Sequence, residues 1–149
     1  MDKHYLTPLF APESIIVFCG SPDDPAGQTA QAQALRQALS TQRYSGSLQY
    51  LDIHDTGTLA DLAQARADLA IIALPPKDVA AALEVAGRMT CRSALVISSG
   101  IDAEQAAELK KIARREGVFL LGPNCLGLQR PKLQLNASAT GPMARAGSL

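Results

Sequence analysis

The sequence predicts an α/β domain built on a doubly wound parallel sheet of about five strands. Short runs of β-branched and other apolar residues alternate with alanine- and leucine-rich stretches at helical spacing, the pattern of a parallel sheet with crossover helices. The apolar runs are nearly continuous, as in strands that are buried on both faces. The length of 149 residues suits one such domain with a core of its own.

Five apolar runs are the predicted strands. The first is apolar from Ile15 to Cys19 and ends at Gly20, and the third ends at Pro75. Glycine and proline also close the fifth run, at Gly122, and such residues mark the ends of strands. The predicted strands cover residues 14–19, 47–53, 68–74, 93–97 and 118–121.

Four helices are predicted between these strands, and each has its apolar residues on one face. The third helix begins at Pro76, because proline is tolerated in the first turn of a helix. Asp102 and Gln105 have the spacing of a capping box for the fourth helix, which Gly117 ends. No further helix is predicted after Leu121. The predicted helices cover residues 29–42, 58–65, 76–88 and 103–115.

Composition excludes several classes of protein. Hydrophobic residues make up 47% of the chain and charged residues 19%, which is incompatible with intrinsic disorder. The formal net charge is zero and aromatic residues are few, so a nucleic-acid binder is not expected. No apolar run approaches the ~20 residues of a membrane span, and the first residues do not resemble a signal peptide. We therefore expect a cytoplasmic protein without a nucleic-acid or membrane partner.

The three cysteines and two histidines do not form a recognisable metal or catalytic motif. There is no C-x-x-C pair, and His4 and His54 are far apart in sequence. A nucleophilic Cys125 would need a base, and only His54 is available. Cys19 lies in an apolar strand and is expected to be a buried hydrophobic residue. We predict no catalytic residue and no metal site, so the chain alone should catalyse no reaction.

The loop after the first predicted strand is a candidate phosphate site. Ligands of open parallel sheets bind outside the carboxyl ends of the strands, and this loop runs directly into a helix whose N-terminal amides favour anions. The loop is not a G-x-G-x-x-G motif, because six residues separate Gly20 from Gly27. An ordinary strand-to-helix turn would explain the same residues equally well.

Five segments of the sequence together resemble one family. The segments are LFAPESIIV at 9–17, DLAIIALP at 68–75, ALVISSG at 94–100, LGPNCLGL at 121–128 and LNAS at 135–138. The most specific piece is GPNCLG followed by LNAS. In order and spacing these segments are similar to the CoA-binding domain of the NDP-forming acyl-CoA synthetases, of the succinyl-CoA synthetase alpha subunit and of multidomain bacterial protein lysine acetyltransferases.

The resemblance implies a Rossmann-like domain that binds CoA or acyl-CoA across the carboxyl edge of its sheet. The diphosphate would lie on the loop 20–28 and the adenosine near 52–54, with the pantetheine between 74–76 and 98–100. The thiol end would lie near Asn124 and Cys125. The implied cofactor-binding residues are Gly20, Ser21, Gly27, Gln28, His54, Leu74, Pro75, Pro76, Ser98, Ser99, Gly100, Asn124 and Cys125.

The same resemblance divides the chain into three parts and implies a larger protein. Residues 1–12 are expected to form an N-terminal arm, 13–140 the CoA-binding domain, and 141–149 the beginning of a following domain. The partners would be a CoA-type small molecule and the following domains of the same parent chain. That parent would be an acyl-CoA synthetase-like enzyme or an acetyltransferase.

Two other hypotheses remain open. Four carboxylates, Asp23, Asp24, Asp52 and Asp55, lie around the proposed nucleotide end, so the chain could instead be a degenerate regulatory or scaffold module that binds CoA weakly or not at all. An NAD-type binder, with Asp52 accepting from a ribose hydroxyl, is the third hypothesis. No lysine or arginine directly follows the second strand. CoA and dephospho-CoA are therefore expected to bind within about fivefold of each other.

Overall fold

The computed structural model describes residues 4–55, 57 and 66–147. Five strands form one parallel sheet in the order β2-β1-β3-β4-β5, which confirms the predicted fold class. Each strand lies within its predicted run and is shorter than it at one end or at both. The strands are β1 Ser14–Phe18, β2 Ser47–Tyr50, β3 Leu69–Ile72, β4 Ser93–Val96 and β5 Phe119–Leu121.

The described helices begin and end at residues that the sequence marks. Thr29 caps the helix after β1 by accepting a hydrogen bond from the Ala32 amide. The predicted capping box is confirmed, since the Asp102 carboxylate accepts from the Gln105 amide while the Gln105 side chain accepts from the Asp102 amide. The helix predicted over 58–65 lies outside the described residues. The helices are α1 Thr7–Phe10, α2 Ala30–Ser40, α3 Pro76–Arg88 and α4 Ala103–Glu116.

The sheet is buried on both faces, and alternate residues of each central strand enter different cores. In β1, Ile15 and Val17 pack toward α2, whereas Ile16 and Phe18 pack toward α3 and α4. All four side chains have at most 1% of their surface exposed. The near-continuous apolar run at 14–19 is therefore explained by a strand with helices on both sides.

An antiparallel hairpin and the short helix α1, neither of which was predicted, complete the α2 face. The hairpin consists of β6 Gly127–Arg130 and β7 Leu135–Ser138. Leu135 and Ala137 of β7 are fully buried beside α2, and Leu9 of α1 joins the same core. From the sequence, no helix was predicted after Leu121, and the two strands of this hairpin were not identified. Four-residue elements give little periodic signal, and tertiary burial decides their conformation.

None of the helices in the described ranges is long and apolar enough to cross a bilayer.

Candidate functional site

The carboxyl ends of all five strands open on one edge of the sheet. The strand order reverses between β1 and β3, since the connection after β1 leads to β2 on one side while β3 lies on the other. At such a point the loops separate and leave a crevice, which is where doubly wound sheets bind their ligands. All the predicted site residues lie at or directly after strand ends on this edge.

The loop after β1 folds back on itself. The side-chain amide of Gln28 donates to the Ser21 carbonyl at 2.6 Å and closes the loop. The Gly27 amide donates to the Asp24 carboxylate at 3.1 Å, and a side chain at Gly27 would collide with that carboxylate. The Gly27 amide is thus used inside the loop. The amides of Gly20 and Ser21 have no acceptor in the described part of the chain.

The N-terminus of α2 adds two further amides to this side of the crevice. Thr29 satisfies the Ala32 amide, whereas the amides of Ala30 and Gln31 find no acceptor among the described residues. The Gln31 side chain crosses to the β4 loop and donates to the Ser99 hydroxyl at 2.6 Å. Free amides at a helix N-terminus attract an anion, because the helix dipole places partial positive charge there.

The ends of β3 and β4 are joined by a buried hydrogen bond. The Ser98 hydroxyl accepts from the Leu74 amide at 2.9 Å, and Ser98 has only 2% of its surface exposed. Pro75 and Pro76 stand at the N-cap and the first helical position of α3. Gly100 is exposed and faces the Pro76 ring. Ser98 and Leu74 are therefore buried supports of this edge, whereas Pro76 is half-buried and Gly100 is exposed on it.

Asn124 and Cys125 connect the β5 loop to β4. The Asn124 side chain accepts from the Ile101 backbone amide through Oδ1 and donates to the Ile101 carbonyl through Nδ2. The backbone amide of Asn124 donates to the Ser98 carbonyl at 3.1 Å. The Cys125 thiol donates to the Val96 carbonyl at 3.2 Å, and burial raises the pKa of this thiol. A protonated, hydrogen-bonded thiol is a poor nucleophile.

The end of β2 carries His54, which is predominantly exposed. The Asp52 carboxylate accepts from the His54 amide at 2.9 Å and so holds the turn. The His54 Nε2 lies 3.8 Å from the carboxylate of Asp78, in the first turn of α3. The His54 ring therefore faces an acidic side chain of the protein itself. Asp78 was not among the predicted site residues.

Arg36 is a cation on this edge that the sequence analysis did not identify. It extends from α2 to the end of β1, where Nη2 donates to the Gly20 carbonyl at 3.1 Å and contacts the Cys19 sulfur at 3.0 Å. Its guanidinium carbon lies 4.5 Å from the centre of the Tyr50 ring, at the end of β2. One feature of the sequence could have identified Arg36. It follows the buried Ala32 by four residues, so both residues lie on the same face of α2.

Metal binding and thiol chemistry elsewhere in the described residues find little support. In residues 4–55, 57 and 66–147, no group of three or more histidine, cysteine or acidic side chains could hold a metal ion. Cys19 is buried, as predicted, and burial raises its pKa despite the nearby Arg36. Burial also raises the pKa of Cys91 to about 12. Neither thiol is suited to nucleophilic chemistry.

The architecture is that of the doubly wound, Rossmann-like proteins, whose ligand edge is the one described here. The chain belongs to the CoA binding domain family, whose model matches residues 47–131, more than half of the sequence. The matched span covers the ends of β2 to β5 and the β6 strand. The loop after β1 lies outside it.

Curated relatives are ADP-forming acetate–CoA ligases of archaea. The chain is 43% identical over 77 residues to acetate–CoA ligase (ADP-forming) I of Archaeoglobus fulgidus, an alignment that covers 48% of this chain and 11% of the relative. It is 35% identical over 75 residues to the enzyme of Methanocaldococcus jannaschii, again over 48% and 11%. The chain thus spans about a tenth of the length of these relatives.

Solved structures show the same fold over nearly the whole chain. The dinucleotide-forming acetyl-coenzyme A synthetase 1 of Ca. Korarchaeum cryptofilum, in complex with phosphate and ADP, superposes with a TM-score of 0.72 at 26% identity, over 91% of this chain and 31% of that one. A Pyrococcus horikoshii protein superposes with a TM-score of 0.76 at 23% identity, over 95% and 34%. The second likeness concerns the fold alone.

Proposed function

We propose that this domain binds CoA or an acyl-CoA across the carboxyl edge of its sheet. The observation that carries the proposal is the set of four unpaired backbone amides beside the crevice, at Gly20, Ser21, Ala30 and Gln31. Two of them open a helix, where a diphosphate is favoured by both hydrogen bonding and the helix dipole. Membership of the CoA binding domain family supports CoA as the nucleotide.

The crevice offers different surfaces to different parts of the ligand. The diphosphate would accept from the four free amides. The pantetheine would follow the uncharged surface of Pro76, Ser99 and Gly100 toward the Asn124 loop. Ser98 and Cys125 would act indirectly, since both are hydrogen-bonded to backbone and hold the neighbouring loops in place.

The relatives support a role in a larger protein. They are acetate–CoA ligases, and this chain corresponds to a small part of their length. We place this domain in an acyl-CoA synthetase-like protein, where it would present the CoA thiol to catalytic groups elsewhere. An acetyltransferase parent would use the same binding edge. In either setting the domain by itself catalyses nothing.

Calorimetric titration with CoA, acetyl-CoA, NAD and ATP tests the proposal. CoA and acetyl-CoA should both bind, because they share the nucleotide and pantetheine portions. NAD and ATP should bind at least about tenfold more weakly, a difference of roughly 1.4 kcal/mol. Absence of binding to CoA would favour the degenerate scaffold, and tighter binding of NAD would favour the dinucleotide hypothesis.

The substitution Ala30→Asp tests where the diphosphate lies. Ala30 is exposed in the first turn of α2, so a carboxylate there is compatible with the helix dipole and should preserve or raise stability. The same carboxylate would compete with the ligand for the free amides and repel it. CoA affinity should fall by about tenfold or more. Ala30→Asn is the matched uncharged control, and an equal loss in both variants would argue against the proposed position.

A further inference from the structure

Arg36 is a partly buried cation that touches two strand ends at once. One guanidinium nitrogen is fixed by the Gly20 carbonyl and the Cys19 sulfur at the end of β1, and the guanidinium carbon lies 4.5 Å from the centre of the Tyr50 ring at the end of β2. An arginine held by both a carbonyl and an aromatic ring has lost much of its freedom before any ligand arrives. It is thus preorganised at the junction of β1 and β2.

Among the residues that the structure describes, the charge of Arg36 has no acidic partner. Within the described residues no ion pair includes Arg36, and its Nε is buried without an acceptor. Of its five N–H donors, only those on Nη2 have described partners. Nε is enclosed by protein and cannot meet a ligand, whereas Nη1 has no described partner and is not among the buried atoms. Nη1 is therefore the guanidinium nitrogen that is suited to receive an anion.

Open space lies beside the guanidinium. A groove of about 500 Å³ runs between the β1 loop and α2, and Pro22, Pro25, Gln28 and Arg36 are among the residues that line it. The groove adjoins the loop assigned to the diphosphate and continues along α2 past Gln33, Gln37 and Ser40. A group attached to the nucleotide's ribose could enter it.

The position of Arg36 indicates which anion that is. In doubly wound sheets the ribose lies near the end of the second strand, and a nearby arginine accommodates a phosphate on that sugar. Here β2 ends at Tyr50, the residue on which Arg36 rests. The CoA ribose carries a 3′-phosphate, which dephospho-CoA lacks. We infer that Arg36, supported by Tyr50, binds the 3′-phosphate of CoA and distinguishes CoA from dephospho-CoA, an inference that rests on the proposed CoA binding.

This assignment changes the expectation drawn from the sequence. Without a cation after the second strand, CoA and dephospho-CoA were expected to bind within about fivefold of each other. Arg36 supplies that cation from a helix instead of from the strand end. A charge-assisted, forked contact to phosphate should favour CoA by about tenfold or more.

Titrations of CoA and dephospho-CoA into the unmodified chain, Arg36→Gln and Arg36→Lys test the assignment. In Arg36→Gln the preference for CoA should fall to about twofold or less, while affinity for dephospho-CoA stays within about twofold of the original. Arg36→Lys keeps the positive charge but loses the forked N–H donors of the guanidinium, so the preference of this variant for CoA over dephospho-CoA should be intermediate. Arg43→Gln, an exposed arginine ahead of β2, is the matched control and should leave the preference unchanged.

The outcomes separate this inference from the proposed function. Equal affinities for CoA and dephospho-CoA in the unmodified chain would overturn the role of Arg36 while leaving CoA binding intact. Equal loss of both ligands in Arg36→Gln would show that the arginine only holds the Gly20 loop, and would also overturn it. Failure of the unmodified chain to bind either ligand would refute the proposed function together with the inference.

Discussion

The two sides of the ligand edge use their polar groups in opposite ways. On the β4 and β5 side, Ser98 and Asn124 bond to the backbone of neighbouring loops, and Cys125 bonds to the last residue of β4. On the β1 side, backbone amides and Arg36 donors remain without partners in the described chain. A ligand site needs both a surface whose polar groups are paired within the protein and a surface whose donors are free. One side is a rigid wall whose side chains maintain its shape, and the other retains the free hydrogen-bonding capacity that can recognise a ligand.

The largest expected effect concerns the rigidity of the β5 side. Gly122 has φ +99°, and a Cβ there would collide with the Val96 carbonyl, so Gly122→Ala combines backbone strain with a clash. We expect it to lower the free energy of unfolding by roughly 3 kcal/mol or more, measured by denaturant titration.

Gly117→Ala is the matched control for that prediction. Gly117 also has a positive φ, +69°, but nothing lies within 4 Å of the position of a Cβ. Its substitution should cost only about 1 kcal/mol, from strain alone. If the two variants lost similar amounts of unfolding free energy, the backbone around Gly122 and Val96 would adapt to a side chain. The β5 side would then not be the more rigid one.

A smaller effect is expected when the hydroxyl that joins β3 to β4 is removed. Ser98→Ala leaves the buried Leu74 amide without an acceptor, which should reduce the free energy of unfolding by about 1–3 kcal/mol. Ser99→Ala, one residue along in an exposed position, should change it by less than about 0.5 kcal/mol, since water can replace the bond to Gln31. The pair is compared by urea unfolding. A reversed order would show that Ser99, not Ser98, supports the edge.

The smallest effect concerns the acidic loop on the β1 side. Asp24→Asn removes a negative charge near the proposed diphosphate and retains an oxygen that can accept from the Gly27 amide. CoA affinity should rise by about two- to threefold at low salt, and the gain should vanish near 1 M salt, where charges are screened within ~3 Å. Asp23→Asn should behave in the same way. A loss of affinity in either variant would show that the carboxylates assist binding, for example by ordering the loop.

The sequence predicted the sheet well because its information is local. Near-continuous apolar runs, helical periodicity and the Asp102–Gln105 capping box each identify an element from a few neighbouring residues. The hairpin was missed because β6 and β7 are four residues each and owe their conformation to burial against α2. Such burial depends on residues that are distant in sequence.

The site was predicted less completely than the fold, for a related reason. Strand ends could be located, so residues such as Ser98 and Asn124 were placed on the correct edge. Their actual bonds could not be foreseen, because each partner lies on another loop. Arg36 was overlooked because a charged residue on a helix is ordinarily solvated, and only the packing of α2 against β1 and β2 brings it to the edge. The pairing of His54 with Asp78 likewise joins two separate elements.

The cores on the two faces of the sheet are completed by residues at different positions along the chain, and this difference matters during synthesis on the ribosome. All described members of the core beneath α3 and α4 have been synthesised once Val118 has left the ribosome. The opposite core waits for Leu135 and Ala137, which belong to the last strand. A nascent chain that pauses between these points carries one finished face and one face on which Ile71 and Leu95 lack part of their cover. Chaperones bind such apolar surfaces, and the final hairpin is the segment that ends this exposure.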